Sequence, residues 1–290
     1  MTLRAHMQQV LAGWPEGAPQ GWRVALEDTV LNFGSRSLGT AHDGVARPAY
    51  PPLRAGNDGR YLFRAFHGIN PDQVRVVVIG QDPYPERARA TGRAFEDGAS
   101  LALGIAESMK RLLQSALTAM DPGLHADQNG AGWNLIREQV EARLHDQAMM
   151  EHYFDGLTDQ GVLFLNAAWT FTEIEWHPDA GERRRRRDRV QNAHRALWRP
   201  VMERVIDRLA SRAGPPVFLL FGREAQKCFN SATRNLQEVP ASICCDHPTA
   251  RRGTYFDTEN PLRQVNQALR PPNQALEACR DIQWWPQVVP

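Results

Sequence analysis

Four short stretches of the chain are continuously or almost continuously apolar, each bounded by turn residues or polar segments: Val76 to Ile79, Val162 to Leu165, Val217 to Phe221 and Ser242 to Cys245. Runs of this length, rich in Val, Ile, Leu and Phe, predict strands buried on both faces of a parallel sheet; a half-solvated strand would alternate instead. Between them lie segments with helical spacing, Ala106 to Leu117 and His194 to Leu209, and Leu262 to Leu269 follows the last run. Strand and helix alternate, which predicts an α/β fold: a three-layer sandwich with a central four-stranded parallel sheet and helices on both faces. No internal repeat or linker divides the chain, so residues 1–290 read as one domain with a helical N-terminal extension over 1–50.

In such a fold, ligands sit beyond the carboxyl ends of the strands, where the connecting loops meet and helix N-termini point. The chemically capable residues should then follow the four runs directly, and they do. Gly80-Gln81-Asp82-Pro83-Tyr84 follows the first and Asn166 closes the second. Gly222-Arg223 follows the third, and Asp246-His247-Pro248-Thr249 the fourth.

The first of these segments resembles the water-activating motif G-Q-D-P-Y-H of family 1 uracil-DNA glycosylases. The remaining pieces come in the same order. Ala94-Phe95 resembles that family's base-stacking phenylalanine, Leu163 to Asn166 its uracil-reading strand, Leu220 to Gln226 its phosphate loop, and His247-Pro248-Thr249 its H-P-S segment. With Pro51-Pro52 before the first motif and Ile282 to Pro290 at the end, the resemblance runs from about residue 50 onward. It implies a DNA glycosylase of the uracil-DNA glycosylase superfamily.

The residue types suit that chemistry on their own account. Breaking an N-glycosidic bond leaves positive charge on the sugar and negative charge on the departing base, so a carboxylate near the sugar and donors near the base oxygen both help. Asp82 is the expected carboxylate, holding a water for attack and stabilising the cationic sugar. His247, as a neutral imidazole, is expected to donate to the O2 of the leaving base. Such a donor is worth ~2.7 to 4 kcal/mol of barrier in other enzymes, and the backbone N–H of Gln81 could supply a second. A base turned out of the stack needs a flat apolar floor and an edge reader. Phe95 is the expected floor and Asn166 the reader of the Watson-Crick edge. Turned over, the Asn166 amide would suit cytosine as well as uracil. Tyr84, in the family, crowds the C5 position and so distinguishes uracil from thymine.

Three features depart from the family. Pro85 stands where it has histidine, which removes a polar side chain and a backbone donor at once and implies a displaced pocket wall. Ala250, Arg251 and Arg252 replace the segment carrying a leucine wedge, so Arg251 is expected to stack in its place or to bind phosphate. Ser108, Arg223, Thr249 and Arg252 are further expected contacts to DNA. Residues 121–155 and 172–197 are longer than the family requires, and long loops beside a pocket often carry substrate choice.

Composition adds little. With 42% hydrophobic and 23% charged residues the chain is an ordinary globular one, and its net charge of +1 announces no polyanionic partner. Local charge says more: all but two of the cations are arginines, five of them consecutive from Arg183 to Arg187, which is either a solvated helix face or a phosphate-tracking patch. The four cysteines contain no C-x-x-C pair and are expected to be buried free thiols, with no metal. No apolar run spans a bilayer and Met1 to Val10 lacks the core of a secretion signal, so a cytoplasmic protein without membrane contact is expected. No lysine nucleophile lies near the motifs. The expectation is therefore a monomeric, monofunctional enzyme that acts on DNA, leaves an abasic site and uses no cofactor.

Three functions remain open at this point: uracil excision for repair, excision of a modified pyrimidine such as a hypermodified hydroxymethylcytosine from bacteriophage DNA in antiviral defence, and a DNA-binding subunit that has lost catalysis.

Overall fold

The computed structural model describes residues 2–40, 49–56, 59–121, 123–128, 131–250, 254–270 and 281–285. The four apolar runs form the four strands: β1 (Val76–Gly80), β2 (Val162–Asn166), β3 (Val217–Phe221) and β4 (Ser242–Cys245). All pair in parallel, in the order β2-β1-β3-β4. The helices are α1 (Leu3–Val10), α2 (Gln20–Leu26), α3 (Arg36–Thr40), α4 (Ser100–Leu103), α5 (Glu107–Met120), α6 (Ala131–Arg143), α7 (Gln147–Thr158), α8 (Ala180–Ala210), α9 (Gly222–Thr233) and α10 (Pro261–Ala268).

Successive side chains of a strand point to opposite faces, and the core divides accordingly. Val77, Ile79, Leu163, Leu165, Phe218 and Leu220 pack on one side with Leu3 and Met7 of α1, Trp22 of α2, Trp198 of α8 and Phe229 of α9. Val76, Val78, Val162, Phe164, Leu219 and Phe221 pack on the other with residues of α5, α6, α7 and α10, among them Leu113, Val140, Phe154 and Leu262. The sandwich is thus three layers deep, as expected. The N-terminal helices are part of its first layer, and α6 and α7 supply much of the second.

One strand departs from the expectation. β4 alternates, with Ile243 and Cys245 buried and Ser242 and Cys244 exposed, because it is the sheet's edge, where packing covers only one face of the strand. Cys244 is accordingly an exposed thiol rather than a buried one. Among the described residues, no helix is long and apolar enough to cross a membrane, and no group of three or more His, Cys, Asp or Glu side chains is placed to hold a metal ion.

The longest element is α8. The expected helix His194 to Leu209 is its second half, and the arginine run forms its first half, opened by Asp179, whose side chain accepts from the Glu182 N–H at 2.6 Å. A buried histidine fastens its middle. His194 meets the hydroxyls of Thr170 (2.8 Å, Nδ1) and Thr172 (2.8 Å, Nε2) in the chain leaving β2. The Thr170 oxygen also accepts from Trp198 Nε1 at 2.7 Å, so both ring nitrogens of His194 and the indole N–H are held in one buried network. Burial, aided by His6 and Arg195, lowers the pKa of the ring to about 3 and keeps it neutral.

A folded-state pKa below the unfolded value near 6.5 gives stability that is complete above pH 6.5 and drains as pH falls toward 3, since only the unfolded chain then takes the proton. Between pH 7 and pH 5 His194 should cost the fold about 2 kcal/mol. Urea unfolding at both pH values, for wild type and His194→Gln, should show a drop smaller by about that amount in the variant. Equal drops would mean that His194 is accessible to protons in the native state.

Candidate active site

The strand order changes direction at β1, whose neighbours β2 and β3 are reached on opposite sides, and the loops leaving these strands part there to open a cleft. It encloses about 1360 Å³ and is lined by Gln81, Asp82, Tyr84, Phe95, Asn166 and His247 together, so the residues expected for catalysis and base binding share one space.

Its floor is built by close approach. Gly80, the last residue of β1, pairs with Asn166 at the end of β2. A Cβ on Gly80 would lie 2.7 Å from Asn166 Oδ1 and 3.2 Å from the ring of Phe95, so the absent side chain is what lets amide and ring meet. Phe95 sits at φ +65°, an uncommon conformation for a bulky residue that the surroundings must impose. They do so through packing: its ring meets Phe221 edge-on at 5.0 Å, and the His247 ring lies 6.2 Å away.

Tyr84 is tied to this floor. Its hydroxyl donates to the Phe95 carbonyl at 3.0 Å and accepts from Ser108 Oγ at 3.1 Å. Burial pushes the phenol well above its ordinary pKa, so it stays protonated and the chain of donors is fixed in direction. Ser108, expected at a DNA phosphate, lines the cleft beside Tyr84 and gives its hydroxyl proton to the phenol. In this arrangement its hydroxyl props Tyr84, while its backbone N–H lies in the first turn of α5. Pro85 offers its carbonyl to the Tyr50 hydroxyl at 2.5 Å, so the wall that lost a histidine is held from the other side by a tyrosine packed on Phe171.

His247 follows β4. The Thr249 backbone N–H reaches Nδ1 at 3.2 Å, and because that group can only donate, Nδ1 must be the unprotonated nitrogen. The neutral ring therefore carries its proton on Nε2, and burial lowers its pKa to about 4. Gly222, the first residue of α9 and at φ +80°, lies against this histidine: a Cβ there would stand 3.2 Å from His247 Cβ.

Asp82 shows what the sequence did not. It was expected to face a water, yet both its oxygens are gripped by Arg195 of α8, with Nε on Oδ1 at 3.1 Å and Nη2 on Oδ2 at 2.5 Å, while Gln81 Nε2 adds a bond to Oδ2 at 3.1 Å. The two ion-paired side chains are 8% and 15% exposed. Burial raises the carboxyl pKa, and Arg195 and Gln81 pull it back. The one available signal was the spacing Arg184, Asp188, Gln191, Arg195, a single helical stripe that lines the cleft. No pattern in the sequence says which carboxylate such a stripe will meet.

Of the other expected DNA contacts, Arg223 and Thr249 line the cleft at its exposed rim. Arg251 and Arg252 lie outside the described residues. The arginine run is mostly occupied: Arg185, Arg186 and Arg189 converge on Glu182, Arg184 pairs with Asp188, and Arg183 lies over the exposed ring of Trp176.

Gly80→Ala puts a methyl group against a buried amide and an aromatic ring that have little room to retreat. Turnover of the substrate that fills the cleft should slow roughly tenfold or more, since small misplacements at a reacting centre are costly, while the melting temperature stays within a few degrees of wild type. An unchanged rate would mean that Asn166 does not have to sit where it does.

Comparison with known proteins places this geometry. A sequence model described as the uracil DNA glycosylase superfamily matches residues 66–270. The uracil-DNA glycosylase of Bacillus pumilus is 29% identical over 215 residues, covering 72% of this chain and 74% of that one. Uracil-DNA glycosylase 2 of Streptomyces coelicolor is 27% identical over 254 residues, covering 87% and 90%. A point variant of mimivirus UNG, solved in complex with UGI, superposes with a TM-score of 0.57 at 15% identity over 95% of this chain and 94% of that one, which shows a common fold. Because the family match extends over well more than half of its length, the chain belongs to the uracil DNA glycosylase superfamily, a family of hydrolases acting on N-glycosyl bonds.

Proposed function

We propose that this glycosylase releases uracil from DNA and leaves an abasic site. The observation that carries the choice of base is Tyr84, whose hydroxyl is held at both sides beside the Phe95 floor. A phenol fixed in this way is a wall that cannot yield to a substituent at C5, and it favours an unsubstituted pyrimidine over thymine.

In this reading the flipped base lies on Phe95, which replaces the stacking lost on leaving the helix, and Asn166 pairs with its edge. His247 donates from Nε2 to O2 as negative charge gathers there. It does so as a neutral imidazole, since its pKa of about 4 keeps it uncharged at neutral pH. Asp82 supplies negative charge beside the sugar as the bond to the base lengthens and directs the water that completes the hydrolysis. Arg223 and Thr249 at the rim are suited to the phosphates on either side.

A second reading has one observation in its favour. A cleft of about 1360 Å³ that reaches as far as Arg184, Arg187 and Gln191 of α8 is larger than a bare pyrimidine needs, and suits a pyrimidine carrying a large polar group.

Oligonucleotides containing uracil, thymine, 5-hydroxymethylcytosine or a glycosylated form of it, incubated with the protein and then treated with alkali, separate the readings. Scission at uracil alone is expected. Scission only at a modified cytosine would establish the second reading, and none at any base would leave a DNA-binding subunit. On the active substrate, His247→Ala should lower kcat by about a hundredfold to a thousandfold. Asp82→Asn should abolish turnover while still binding DNA, and a fully active Asp82→Asn protein would remove the carboxylate from the mechanism.

A further inference from the structure

The bond between Arg195 and Asp82 is at odds with the work assigned to Asp82. An ionised carboxylate offers about four lone-pair positions, and Arg195 and Gln81 fill three of them. A guanidinium laid along both oxygens also cancels the charge that would stabilise a cationic sugar. The third nitrogen of Arg195, Nη1, donates to Asn192 Oδ1 at 3.0 Å, so all three nitrogens are engaged within the protein. As it stands, the site binds its own carboxylate in place of a reacting centre.

A fork of donors that fits a carboxylate fits a phosphodiester equally well. The phosphates of a flipped nucleotide lie one sugar ring away from the bond to be broken, so a base seated on Phe95 brings an anion into the cleft that Arg195 also lines. We propose that Arg195 is a phosphate-binding residue of this cleft, held in the free enzyme by Asp82, and that a nucleotide's phosphate takes the guanidinium over and thereby frees the carboxylate for catalysis. The exchange conserves charge pairing: arginine passes from carboxylate to phosphate, and the carboxylate passes from arginine to the developing sugar cation. It makes the water-directing group available only when DNA is in place. The proposal rests on the reading of Asp82 and Phe95 as parts of a base-excision site.

The lock is a competition within the protein, and binding can measure it without turnover. The probe is a fluorescent single-stranded oligonucleotide carrying one 2′-fluoro-2′-deoxyuridine, which resists hydrolysis, titrated against four proteins: wild type, Asp82→Asn, Arg195→Gln and the double variant. Asp82→Asn removes the competitor and should bind about tenfold tighter than wild type, a charged bidentate pair being worth that much or more. In the Arg195→Gln background the same change should make no difference. Turnover on uracil DNA gives the second reading: Arg195→Gln should raise KM about tenfold and leave kcat within about threefold, with Arg195→Lys between the two.

Asp82→Asn binding no tighter than wild type, or a fall in kcat with KM unchanged in Arg195→Gln, would overturn the exchange and make Arg195 a fixed support for the carboxylate. Wild-type enzyme that releases no uracil would instead sink the reading of the substrate, which the first titration does not depend on for its sign.

Discussion

An ionised carboxylate drawn into a cleft loses much of its hydration, and Asp82 recovers part of that loss from one guanidinium supplied 113 residues further along the chain. Much of the site's surroundings follows from the need to deliver that group. Arg195 lies on α8, and α8 is held by the buried, neutral His194 beside it, which spans two threonines in the chain leaving β2. Trp198, one turn on, stacks on Trp169 from the same segment at 5.0 Å. The helix is thereby fixed to the strand that ends in Asn166, and the carboxylate, the base reader and the arginine share one rigid reference.

The base pocket rests on a different economy, that of leaving atoms out. Gly80 lets the Asn166 amide and the Phe95 ring close over the end of β1, and Gly222 lets His247 approach from β4. Phe95 accepts an unfavourable backbone angle in return for a ring fixed against Phe221 and a carbonyl turned toward Tyr84. These are arrangements in which few rotamers remain available, and a pocket that must replace both the stacking and the pairing of an extruded base benefits from having little left to order.

Residues 121–155 and 172–197 have two distinct roles in the architecture. The α6 and α7 helices close the second layer of the sandwich with Ile136, Val140, Phe154 and Leu157. The first half of α8 borders the cleft, and its arginines are mostly balanced by acids on the same helix, Glu182 and Asp188. A run of five arginines that looks like a bare positive patch in one dimension is, on the helix, largely an internally paired face with a few members turned toward the cleft.

The strands, their parallel pairing and the residues at their ends were legible in the sequence, because a strand buried on two faces must be continuously apolar and polar groups can reappear only where it leaves the core. The motifs at those ends then carried the family and six residues of one cleft: Gln81, Asp82, Tyr84, Phe95, Asn166 and His247. What only the tertiary structure decided is who answers whom. That Ser108 props Tyr84, that β4 is an edge with Cys244 in solvent, and that Arg195 holds Asp82 all depend on contacts between positions far apart in the chain. A periodic pattern encodes which side of an element is wet or dry. Partnership between two charged groups is set by the packing that brings them within reach, and that packing is a property of the whole core.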